Sequence, residues 1–134
     1  MSWSGVKKQT SIDREAIESW CDKMGLRDYT INNKGEINVG TNVFLEYNTF
    51  SELPYKFRIV NGSFILYGCK NLTSLKNCPD RVYGDFDCSK CIKLNSLDDC
   101  PKAVVSKFSC EYCNRKFTEE EVRSLCKVKG DIII

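Results

Sequence analysis

The sequence predicts an α/β repeat protein: a short solenoid of about three to four coils, with a helix and hairpin capping one end and a helix capping the other. Three observations lead there. A residue pattern returns every 22 positions, an amphipathic stretch precedes it, and a helix-start signal follows it. The period is carried by Phe64, Phe86 and Phe108, by Leu66, Cys88 and Cys110, and by Cys69, Cys91 and Cys113. Leu72 and Leu94, Leu75 and Leu97, Cys78-Pro79 and Cys100-Pro101, and Val82 and Val104 complete it.

Residues 1–9 read as a loose polar arm, and residues 10–41 as the N-terminal cap. Ile12, Ala16, Ile17, Trp20, Cys21 and Met24 fall on one helical stripe. Thr10 or Ser11 supplies a cap, Asp13 and Glu15 suit the first-turn dipole, and Gly25 is a natural stop. Such a helix covers the open apolar end of the first coil. Tyr29-Thr30-Ile31 and Glu36-Ile37-Asn38-Val39 flank Asn32-Asn33-Lys34-Gly35 and predict a hairpin.

The solenoid is expected over residues 42–117. Val43, Leu45 and Asn48 have the spacing of Phe64, Leu66 and Cys69, so they form an irregular first coil with Leu53-Pro54 and a long linker to Phe64. In each full coil Phe-x-Leu or Phe-x-Cys is a short strand with those side chains inward. The next Cys marks the bend, Leu-x-x-Leu suits a turn or 3₁₀ segment, and Pro keeps the chain out of a helix. Stacking coils about 4.8 Å apart gives ladders of Phe, of Leu and Cys, and of Cys. After Cys113 the pattern breaks at Lys116-Phe117. Residues 118–134 then form the C-terminal cap, a helix opened by the capping box Thr118-Glu-Glu-Glu121 with Val122, Leu125 and Cys126 on its apolar face. The tail 129–134 is β-prone and suits pairing with an edge strand.

Bulk properties narrow the function classes. The chain of 134 residues fits a single domain, and its 42% hydrophobic and 28% charged content is that of a folded globular protein. A net charge of +2 gives little field to attract nucleic acid or membrane. The N-terminus shows no signal-peptide core, and no apolar run approaches about 18 residues, so a cytoplasmic protein is expected. Seven of the nine cysteines occupy repeat positions, where a free thiol serves as a small buried hydrophobe. Stacked pairs have disulfide geometry, but a reducing compartment argues against the bond. With no histidine, no Gly-rich phosphate loop and no supported nucleophile, the chain is expected not to be an enzyme.

The repeat, represented by Phe86-Asp-Cys-Ser-Lys-Cys-Ile-Lys-Leu-Asn-Ser-Leu-Asp-Asp-Cys-Pro101, resembles short bacterial-type leucine-rich repeats, in particular those of small leucine-rich-repeat-like proteins of large tailed bacteriophages. The leader Ile12-Asp-Arg-Glu-Ala-Ile-Glu-Ser-Trp-Cys21 with Tyr29-Thr-Ile-Asn-Asn-Lys-Gly-Glu-Ile37 is similar to theirs. Departures are the shortened first unit, Cys91 and Cys113 where Asn is usual, and one extra residue before the Leu. The resemblance implies a curved leucine-rich-repeat solenoid that binds another protein. For a phage accessory protein that partner is a bacterial host protein, such as a defence enzyme, protease or toxin, most readily inhibited by the contact.

The alternative is a zinc-ribbon-like nucleic-acid binder. Cys88-Ser-Lys-Cys91 and Cys110-Glu-Tyr-Cys113 form two C-x2-C pairs eighteen residues apart, within zinc-ribbon spacing. Zinc, at about 2.3 Å from each of four thiolates, requires each pair to fold as a tight knuckle. A near-extended chain separates the Cα atoms of Cys88 and Cys91 by about 10 Å. The matching unit Leu66-Tyr-Gly-Cys69 keeps the strand pattern with a residue that cannot ligate, which favours the repeat and no metal.

Strand residues alternating with the core give the partner-binding face, expected on the concave side. In register they are Phe44, Ile65, Asp87 and Ser109, then Glu46, Tyr67, Ser89 and Glu111, with Tyr47, Lys90 and Tyr112 at the strand edge. Aromatic anchors with an acidic fringe suit a protein interface. A competing arrangement has the hairpin covering Phe44 and Ile65. Lys70, Lys76, Arg81, Lys93 and Lys102 are expected on the opposite, convex side as solvated surface.

Overall fold

The computed structural model describes residues 12–134. The arm at 1–9 and the proposed caps Thr10 and Ser11 lie outside the described residues. Within them, helix α1 spans Arg14–Lys23, and its N-cap is Asp13, whose carboxylate accepts a hydrogen bond from the Ala16 N–H at 3.0 Å. Gly25, at φ +76°, ends it. Ile17 and Cys21 are buried, and Trp20 packs edge-on against Tyr55 and Phe57, so α1 closes one end of the core as expected.

The chain then winds as a parallel-strand β-solenoid of about four turns. Each full turn contributes two strands, one to each of two sheets. The six-stranded sheet runs β1 (Tyr29–Ile31), β2 (Ile37–Val39), β4 (Phe57–Val60), β6 (Arg81–Val82), β8 (Ala103–Val104), β10 (Lys127–Val128). The five-stranded sheet runs β11 (Ile132–Ile133), β9 (Phe108–Ser109), β7 (Phe86–Asp87), β5 (Phe64–Ile65), β3 (Val43–Phe44). Only β1 and β2 are antiparallel; every other pair is parallel.

The single strand per coil read from the sequence is therefore half of the arrangement. Val82 and Val104 lie on the second strand, and the supposed linker before Phe64 contains β4. The solenoid also exceeds residues 42–117. β2 is already a rung of the six-stranded sheet, and residues 127–134 supply a further rung to both sheets. Because the hairpin joins the six-stranded sheet, it does not cover Phe44, which is 58% exposed on the other sheet.

The inward column Phe64, Phe86 and Phe108 is fully buried, with ring centroids 6.3 and 5.1 Å apart. Between the sheets the chain makes three-residue turns. The Cys69 N–H donates to the Leu66 carbonyl, Leu72 to Cys69, and Cys78 to Leu75, and the next coil repeats the last two as Leu94 to Cys91 and Cys100 to Leu97. This is why Cys-x-x-Leu-x-x-Leu-x-x-Cys has a period of three: every turn brings one side chain back to the interior.

Helix α2 (Glu119–Leu125) replaces that arc in the last coil. Thr118 and Glu121 form the expected capping box, Phe117 fills the leucine position and is fully buried, and Val122 is buried. Leu125, assigned to the apolar face, is instead exposed. No helix among the described residues is long and apolar enough to cross a membrane.

Candidate functional site

The exterior of the five-stranded sheet is built by register. Phe44, Ile65, Asp87 and Ser109 stack in one row as expected, and β11 extends it with Ile133, a residue not identified from sequence. Where the strands end, each coil must bend sharply to return its next Cys inward. The bend uses a left-handed residue, and the four equivalents are Tyr47 (φ +59°), Gly68 (φ +73°), Lys90 (φ +57°) and Tyr112 (φ +56°).

That repeated backbone conformation projects side chains from one edge of the sheet. Tyr47 and Tyr112 are 68% and 71% exposed. The Tyr47 and Tyr67 rings meet edge to face at 5.8 Å. Lys90 reaches over Tyr67 at 5.7 Å and Tyr112 at 5.9 Å, so one cation joins aromatics of the two coils that flank its own. The neighbouring Tyr67 shifts the Lys90 pKa upward. A groove of about 510 Å³ lies between these side chains and is lined by Tyr47, Gly68, Lys70, Lys90, Ile92 and Tyr112.

Lys70, assigned to the convex side, thus belongs to this groove. Ile92, 54% exposed, was missed. Its signal was available: neighbouring coils carry Thr49, Lys70 and Asn114 at that position, so an apolar residue there serves no interior need. Ser89 is corrected in the opposite sense. It is 3% exposed, its hydroxyl accepts the Glu111 N–H at 3.0 Å, and its own N–H donates to Asp87 at 2.8 Å. Ser89 links coils and offers no contact. Glu46 is exposed, and Asp87 and Glu111 are half-buried, giving the groove an acidic flank.

The cysteines have a separate role. The thiols of Cys69, Cys91 and Cys113 donate to the carbonyls of Leu45, Leu66 and Cys88 in the preceding coil, each at 3.2 Å. Asn48 occupies the same rung and donates to the Leu45 carbonyl at 3.0 Å. Burial pushes the Cys100 and Cys110 thiols up to about 12, and those of Cys21 and Cys126 up to about 11. Such thiols are protonated at neutral pH and are poor nucleophiles.

Cys88 and Cys110 are buried in the core, whereas the Cys91 and Cys113 thiols turn toward backbone carbonyls. Among the described residues no group of three or more His, Cys, Asp or Glu side chains is arranged to hold a metal ion. No protein-family model, curated protein or solved structure matches the chain.

Proposed function

We propose that this chain is a non-enzymatic protein-binding module whose docking face is the exterior of the five-stranded sheet. One observation carries the reading: Tyr47, Tyr67 and Tyr112 from three different coils gather around Lys90 beside a groove. Solvated surface has no need of such a cluster, and partly exposed tyrosines held by a rigid backbone bind at low entropic cost. Glu46, Asp87 and Glu111 would meet basic residues of the partner, which aligns its register and speeds encounter. The resemblance of the repeat to phage leucine-rich-repeat-like proteins is what supports a bacterial host protein as the partner and inhibition as the outcome.

The test is capture from bacterial lysate by the wild type and by Tyr67→Ala/Glu111→Ala, with both melting temperatures recorded. A protein held by the wild type and released by an equally stable variant supports this face. Loss of a central aromatic anchor costs on the order of 2 kcal/mol, or about thirtyfold in affinity. Equal capture by both proteins removes the face from consideration.

A further inference from the structure

The exterior of the six-stranded sheet has the opposite chemistry. Register places Ile59, Arg81, Ala103 and Lys127 in one row and Tyr83, Val105 and Lys129 in the next, with Arg58 and Lys102 beside them. Arg58, Arg81, Lys102, Lys127 and Lys129 are all exposed, and none forms an ion pair among the described residues. Residues 1–11 contain no carboxylate that could neutralise them. Asp80 is engaged by Lys56 at 2.8 Å. Between the cations Tyr83 and Val105 are exposed, and Ile59 and Ala103 line a groove of about 400 Å³ with Arg58, Arg81, Tyr83, Lys102 and the Lys56-paired Asp80.

We infer that this sheet face is a second docking surface, for an acidic polypeptide segment that also carries aliphatic side chains. Arg81 and Lys127 share one row two coils apart, with Arg58 and Lys102 beside it, and such exposed guanidinium and ammonium groups are the partners that carboxylates take. The intervening Ile59, Ala103 and Val105 accept aliphatic side chains. Single-stranded nucleic acid fits less well, because it binds on successive aromatic platforms and Tyr83 is the one aromatic among these row residues.

The experiment measures fluorescence anisotropy of a labelled peptide of repeating Asp-Leu-Glu-Val, and separately of labelled oligothymidylate, against the full chain at low and physiological salt. The expected result is peptide binding that weakens with salt and falls about tenfold or more in Arg81→Glu/Lys127→Glu. The control Lys76→Glu/Lys93→Glu makes the same charge change on the arc between the sheets and leaves binding unaltered. Circular dichroism establishes that both variants fold; should the first not, Arg81→Gln/Lys127→Gln replaces it with a smaller expected loss. Absence of peptide binding, equal loss in the control, or preference for the oligonucleotide each overturns the proposal.

Discussion

The Tyr47 ring lies directly on Gly68: a Cβ on that glycine would come within 2.6 Å of ring atom Cε1. The equivalent residues Tyr47, Lys90 and Tyr112 adopt the same left-handed φ with full side chains, so this bend does not itself demand glycine. Gly68 is required by the ring of the preceding coil. Gly68→Ala should cost only about 1 kcal/mol of stability through backbone strain. The larger effect should be displacement of Tyr47, seen as shifted Tyr47 ring resonances by NMR with the core spectrum retained. Unmoved resonances would show that the ring does not rest on this coil.

The rung of Asn48, Cys69, Cys91 and Cys113 predicts an asymmetry between two cysteines of the C-x2-C pairs. At Cys113, half-buried and donating to a carbonyl, asparagine can make the bond that Asn48 makes. At Cys88, fully buried in the apolar interior, an amide finds no such partner. Cys113→Asn should cost less than about 1 kcal/mol and Cys88→Asn about 2 to 4 kcal/mol in urea denaturation. Equal losses would refute the rung.

Metal removal and thiol labelling test the same interior. Dialysis against EDTA should leave the melting temperature unchanged if, as the geometry of the described thiols suits, the cysteines serve as packing groups. A water-soluble disulfide reagent should modify native protein chiefly at Cys113, the one half-buried thiol among the described residues. A large fall in melting temperature on chelation would restore the zinc-ribbon reading.

Acid should loosen the C-terminal cap before the rest of the fold. Arg115 forks Glu121 at 2.6 and 3.0 Å, and the Thr118 N–H adds a third bond. The Arg115 guanidinium and then this N–H lower the Glu121 pKa from its ordinary 4.5 to about 2. A carboxylate with a depressed folded pKa stabilises fully above its unfolded value and loses that contribution as pH falls. Amide protection in α2, measured relative to the intrinsic exchange rate at each pH, should therefore fall from about pH 4.5 down to about pH 2. Glu121→Gln should remove this part of the pH dependence, and Thr118→Ala should cost about 1 kcal/mol at any pH. Identical acid profiles for wild type and Glu121→Gln would count against the Arg115–Glu121 contact.

What sequence alone determined is whatever every coil must repeat. Phe86 has to stack on Phe64, Cys91 has to turn inward where Cys69 does, and Pro101 has to follow its bend like Pro79; each requirement recurs per turn and is written with the period of the turn. The capping box at Thr118 and the helix stripe through Ile17 and Cys21 are local in the same way. The second strand of each coil escaped detection because two residues, such as Arg81–Val82, show no alternation by themselves and become a strand only when neighbouring coils supply their hydrogen bonds. The two exterior faces were decided by tertiary structure for a related reason. Tyr67, Lys90 and Tyr112 meet, and Arg81 and Lys127 fall in one row, only through lateral stacking across coils, and outward positions carry no packing requirement that would make their residues periodic.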